Sequence, residues 1–172
     1  MKYKVEPTQQ EKVMRDNDFI VSKTDTQGRI TYANRIFIEF SKFSEEELIG
    51  TQHNIIRHPD MPRGVFKLLW DTLSQEKEIF AYVKNMARDG SYYWVFANVT
   101  PSYNGQGQVD GYYSVRRKPK QSSVDICAGL YKAMLEEEKT AGPKHAMDAS
   151  IKLVTDLLAE KGVSYEEFIL SI

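Results

Sequence analysis

Sulfur chemistry is nearly missing from this chain: Cys127 is its only cysteine in 172 residues, so an intrachain disulfide is excluded. Excess charge of one sign is missing too. Lysine and arginine total 23 against 24 acidic residues, a formal net charge of -1, which gives no electrostatic pull toward nucleic acid. The opening residues Met1 to Glu6 carry lysines with no apolar stretch behind them, and no later apolar run is long enough to cross a bilayer. A cytoplasmic location without membrane insertion is therefore the expectation. His53, His58 and His145 stand without a cysteine or paired carboxylate at metal-ligand spacing. No metal site is expected, and no enzyme, since no catalytic acid, base and substrate cleft can be named. Gly105-Gln106-Gly107 is a hairpin loop and not a dinucleotide fingerprint, because no helical pattern follows it. Repeats and low-complexity segments are absent. What remains is ordinary globular material, 41% hydrophobic and 27% charged, in a chain long enough to bury roughly 70% of its extended surface.

Periodicity then divides the chain. Phe19-Ile20-Val21-Ser22 reads as a strand, Thr26-Gln27-Gly28 as a turn and Arg29 to Ala33 as the returning strand of a hairpin. Asn34 is placed to cap a helix bearing Ile36, Phe37 and Phe40, and Ser44 with Glu47 forms a capping box for a short helix ending at Gly50. Val65, Phe66, Leu69, Trp70 and Leu73 recur at helical spacing after Pro62, which suits a first-turn proline. Asp60 reads as the N-cap of that helix. Strand signals follow over 79–86, 91–101 and 109–117. Beyond them lie two helical stripes broken at Gly142-Pro143, and a last short helix capped by Ser164 and Glu167. Their stripes are too narrow to fold alone, so they lie on the domain or on a partner.

Alternation makes one further demand. Tyr92, Trp94, Phe96 and Asn98 share one face of their strand, while Tyr93, Val95, Ala97 and Val99 share the other, and Tyr112 of the next strand is read as joining the first set. Both faces are apolar. If Val95 and Ala97 look into a pocket, the Trp94 and Phe96 face must be covered by the N-terminal arm, by the C-terminal helices, or at a homodimer or transducer interface.

The strings HNIIRHPDMPRGVF, VKNMARDGSYYWVFANVTP and GYYSVRRKP resemble the PAS domain of the Aer-type aerotaxis and energy-taxis receptors over about 18–119. The resemblance implies an α+β PAS fold, with a five-stranded antiparallel sheet, helices on one face and additional C-terminal helices. It divides the chain into an N-terminal arm or cap (1–17), a PAS sensor domain (18–119) and a C-terminal helical extension (120–172). It also implies a pocket for FAD whose redox state is the signal. The membrane anchor, HAMP segment and methyl-accepting region of the full receptors have no counterpart here, so the chain resembles a stand-alone, CetB-type member that signals to a separate membrane-bound chemotaxis transducer or HAMP-containing receptor. Ile79 stands where relatives often carry tryptophan, which removes a large ring from the pocket wall.

A flavin dinucleotide needs an apolar slot, amide groups at its polar edge and a cation near its pyrophosphate. Arg57 and His58 are the candidates to meet phosphate or stack; their bland alternative is a solvated loop. Asn34 and Asn85 are candidates for the ring edge, Asn85 because Ile79, Ala81, Val83 and Asn85 share a strand face. In the family the position of Asp60 matters to flavin binding, a role compatible with capping. His53 reads equally as a structural histidine, and Trp70 as core beside Phe66 and Leu73. Two other readings stay open: a haem gas sensor, for which only His53 and His58 lie near enough to serve as axial ligand, and a cofactor-free adaptor whose pocket is filled by its own side chains, Ile79 and Tyr113 among them.

Overall fold

The computed structural model describes residues 5–172. Five strands, β1 (Ile20–Thr24), β2 (Ile30–Ala33), β3 (Ile79–Met86), β4 (Tyr92–Tyr103) and β5 (Val109–Arg117), form one antiparallel sheet in the order β2-β1-β5-β4-β3. The expected hairpin is β1 and β2, paired Ser22 to Ala33, with Gly28 at φ +79° in its turn. That left-handed conformation is open to glycine because it has no Cβ.

Between β2 and β3 run α1 (Arg35–Ser41), α2 (Glu45–Leu48), a 3-10 turn over His53–Ile56 and α3 (Arg63–Leu73). Asn34 caps α1 as expected, and Ser44 with Glu47 closes both bonds of the capping box on α2. Phe37, Phe40 and Leu48 bury against Ile20, Ile30, Tyr93, Val95 and Ala97, so this face of the sheet carries the main core. The described part of the N-terminal arm joins it. Gln10 and Lys12 exchange backbone hydrogen bonds with Tyr92, and Met14 is buried in the same core.

The opposite face is covered by the chain itself. Helices α4 (Gln121–Ala141), α5 (Ala146–Lys161) and α6 (Tyr165–Ser171) form a second layer, where Cys127, Tyr131, Met134, Val154 and Ile169 pack with Tyr82, Trp94 and Phe96. Trp94 stacks on Tyr131 at 6.2 Å between ring centroids, and Phe96 stacks on Phe80 at 5.7 Å. Of the coverings that alternation allowed, the C-terminal helices supply the one seen. Burying these rings removes the apolar patch that β4 would otherwise expose.

Three local expectations are corrected. Asp60 does not cap α3; Pro62 holds the N-cap position, one residue before the first turn, and has no side-chain cap to offer. The cap comes from Glu138 of α4, whose carboxylate accepts from the amides of Arg63 (3.1 Å) and Gly64 (2.9 Å) and from Ser150 Oγ (2.7 Å). A carboxylate there satisfies orphan amides and meets the positive end of the helix dipole. Tyr112 does not share the face of Trp94 and Phe96. It pairs with Pro101, and it packs edge-on against Trp70 of α3, on the side of the sheet where α1 to α3 lie. Trp70 itself is not core; it is 42% exposed.

Candidate functional site

A cavity of about 180 Å³ opens between the inner face of the sheet, the 3-10 turn and α3. Period-2 alternation aims Val83 and Asn85 of β3, Ala97 and Val99 of β4, and Tyr112, Ser114 and Arg116 of β5 into it. Helical spacing brings Phe66, Leu69, Trp70 and Leu73 of α3 to the opposite wall. His53, Ile56 and Arg57 close the side, and Trp70 meets Tyr112 at 5.5 Å.

The cavity is divided by polarity. Its exposed wall is mostly aliphatic and aromatic, with Gln52, His53, Arg57, Asn85, Ser114 and Arg116 among the polar side chains interspersed in it. Asn85 is buried, and its side-chain amide makes no hydrogen bond among the described residues. Arg57 lies over the Phe66 ring at 4.2 Å and donates to the Met61 carbonyl at 3.3 Å, while its backbone bridges to Asn85. Burial lowers its guanidinium pKa, with Glu138 opposing that shift.

Arg116 is the group that sequence reasoning missed. It is 2% exposed, forms no ion pair among the described residues, and has a buried Nε without a partner. Its guanidinium lies over Phe37 at 4.5 Å and donates to Ser22 Oγ and, at 3.5 Å, to His53 Nε2. Burial pulls its pKa down to about 10, which leaves it charged at neutral pH. His53 stacks on Phe37 and lies 3.0 Å from Ser22 Oγ; burial first, and Arg116 second, push it down to about 3. It is a neutral acceptor. The signal for Arg116 in the sequence is its inward register in β5, in phase with Tyr112 and Ser114.

The other proposed site residues fall elsewhere. Asn34 spends its amide on the fold: Oδ1 accepts from Val21 and Phe37 amides, both at 3.0 Å, and Nδ2 donates to the Phe19 carbonyl at 2.8 Å. It does not line the cavity. His58 is buried outside the lining, edge-on to Tyr92 at 6.0 Å, and its Nδ1 accepts from the Asp60 amide. Asp60 pairs with Lys84 at 2.7 Å. His58, Asp60, Lys84 and Tyr92 thus fasten the loop that follows Arg57 to β3 and β4. The structure brings together Arg57, His53, Trp70 and Asn85, and sets Asn34, His58 and Asp60 behind them. Tyr92 meets the N-terminal arm and His58, whereas Trp94 and Phe96 lie under the C-terminal helices.

These residues suit a planar, largely apolar ring system with a polar edge. The buried cation and free amide call for acceptors, and the walls call for an aromatic body. The chamber is smaller than the roughly 300 Å³ at which drug-sized pockets begin. A dinucleotide would place only its ring system here.

Known proteins agree with this architecture. The chain is 38% identical over 127 residues to the aerotaxis receptor of Escherichia coli (strain K12), covering 74% of this chain and 25% of the receptor. It is 32% identical over 97 residues to the nitrogen fixation regulatory protein of Klebsiella pneumoniae, covering 56% of this chain and 20% of that protein. The chain thus spans a quarter or less of these relatives. Among solved structures, the fold matches the light-state structure of the blue-light photoreceptor Aureochrome1 LOV with a TM-score of 0.54 and 20% identity, over 70% of this chain and 92% of that one. A structure described under "Flavin Analogue Sheds Light on Light-Oxygen-Voltage Domain Mechanism" matches equally, with a TM-score of 0.54, 20% identity and coverage of 72% and 87%. Residues 30–116, about half the chain, match the family described as the PAS fold, and the chain belongs to that family.

Proposed function

We propose that this PAS domain is a redox or energy sensor that binds FAD non-covalently and signals to a separate membrane-bound chemotaxis transducer. The observation that carries the reading is the cavity: a buried cation, Arg116, and a buried amide, Asn85, without a side-chain hydrogen bond among the described residues, set among largely apolar and aromatic walls. When bound, FAD supplies a reversible change of charge and protonation at the polar edge of its ring. Asn85 and Arg116 would hold that edge, and Phe66, Leu69, Trp70 and Val99 would shield the ring faces from water. Arg57, at the cavity margin, serves the phosphates as a planar donor. Cys127, the only cysteine, sits in α4 away from the cavity, which favours non-covalent attachment. The role is signalling in the cytoplasm and not turnover.

The likeness to an aerotaxis receptor supports the energy-taxis assignment. A haem reading loses support because His53 Nε2 is engaged with Ser22 and Arg116, and His58 lies outside the lining. The test is the visible spectrum of freshly purified protein, with chromatography of what heat releases. Paired bands of oxidised flavin and released FAD are expected, with Asn85→Ala reducing the FAD content several-fold. A lone Soret band, or a colourless protein that takes up no added FAD, overturns the proposal.

A further inference from the structure

Among the described residues, Arg116 is a charge without a counter-charge. Its five N–H donors meet only neutral acceptors within reach, Ser22 Oγ and His53 Nε2, and its Nε meets none among the described residues. The Phe37 ring beneath it offers a quadrupole and no full negative charge. A buried guanidinium in this state is costly to the fold unless a ligand completes it. The side chain lines the cavity, so the completing group arrives there.

We propose that Arg116 sets the reduction potential of the bound flavin, by favouring the reduced, anionic ring over the oxidised one. This rests on the FAD reading above. Two-electron reduction at neutral pH balances as FAD plus two electrons plus one proton giving FADH⁻. The proton goes to N5, and the negative charge settles at the N1 and C2-carbonyl edge. The electrons come from a reduced organic electron carrier, in the test a viologen poised by an electrode. Where Arg116 meets that edge, its buried, fixed charge would interact more strongly with the anion than with the neutral oxidised ring. Ser22 and His53 position Arg116 and, being neutral, leave its charge undiminished. The oxidised ring needs only the hydrogen bonds of Arg116; the reduced ring also uses its charge.

The experiment is a spectroelectrochemical titration of the full chain loaded with FAD, for wild type, Arg116→Met and Arg116→Lys. Methionine keeps much of the length and loses the charge. Its midpoint is expected to fall by at least about 30 mV, a tenfold loss of preference for reduced over oxidised flavin in a two-electron couple. Lysine is expected to recover at least half of that drop. An unchanged midpoint in Arg116→Met overturns the proposal, as does a lysine variant no better than methionine. If neither variant folds, the wild-type midpoint decides: it is expected above that of free FAD in the same buffer, and a value at or below it overturns the proposal. FAD bound with a midpoint indifferent to Arg116 sinks this inference alone, whereas a protein that takes up no FAD removes the sensor reading as well.

Discussion

His53 and His58 are held neutral by their surroundings. Burial is the first cause for both, reinforced by Arg116 at His53 and by Lys84 at His58, where Asp60 opposes it; their pKa values fall from the ordinary 6.5 to about 3 and about 4. The unfolded chain therefore binds more protons than the folded one below pH 6.5. Stability is full above that value and declines as pH falls toward 4. Each histidine is expected to remove about 2 kcal/mol between pH 7 and pH 5, a window in which ordinary carboxylates contribute little. Urea unfolding at pH 7, 6 and 5 measures it, and His58→Gln should flatten the dependence by about half. A pH-independent midpoint across this range would contradict the assigned neutral states. At this scale the sequence was legible where partners are near neighbours, as at Asn34 and Ser44. It was not legible at Asp60, whose position before a helical stripe mimics a cap, because its partner Lys84 is 24 residues away.

Helix α3 is the element on which the two layers converge. Phe66, Leu69 and Trp70 wall the cavity, while Gly64, Val65 and Leu68 face a second, apolar cavity of about 360 Å³ beside α4, α5 and α6. Its N-terminus is tied to α4 and α5 through Glu138 and Ser150. Glu138→Ala leaves two amides without their acceptor and is expected to cost about 1–3 kcal/mol in denaturant unfolding, with Glu138→Gln losing less. A loss below 0.5 kcal/mol, on the order expected of a surface change, would show that the cap carries no weight. Gly64 is needed for a different reason: a Cβ there would meet Ser150 Oγ at 2.1 Å. Gly64→Ala should push α5 from α3 and expose apolar surface to a dye such as ANS, and a dye-silent variant of wild-type stability would refute that contact.

Across the whole molecule, the sheet separates a cavity layer from a C-terminal layer and is held by both. Tyr131 and Tyr165 of the outer layer donate their hydroxyls to the carbonyls of Tyr82 (2.6 Å) and Phe80 (2.9 Å), on the strand whose other face presents Val83 and Asn85 to the cavity. Rearrangement around Asn85 thus has a short mechanical route to α4 and α6. Cys127 reports on that route. Burial pushes its thiol up to about 12 against the opposing Tyr131 hydrogen bond, so the native protein should react with a thiol reagent only when α4 lifts. Trp94→Ser together with Phe96→Ser should speed labelling at least tenfold while FAD content stays constant. Rapid labelling of the wild type would mean that the outer layer is not docked in solution.

What the sequence determined by itself is what neighbours within about one turn decide: the alternation of β3 to β5, the stripes of α3 to α5, the capping boxes at Ser44 and Ser164, and the need to cover Trp94 and Phe96. Tertiary structure alone decided which cover was used, which face Tyr112 occupies, that Glu138 caps α3 from 75 residues away, and that Arg116 is buried against Ser22 and His53, 94 and 63 residues away. The reason is physical. Periodicity and capping are local geometry, whereas the burial of a charge depends on which distant segments close over it, and closure depends on the packing of the whole chain.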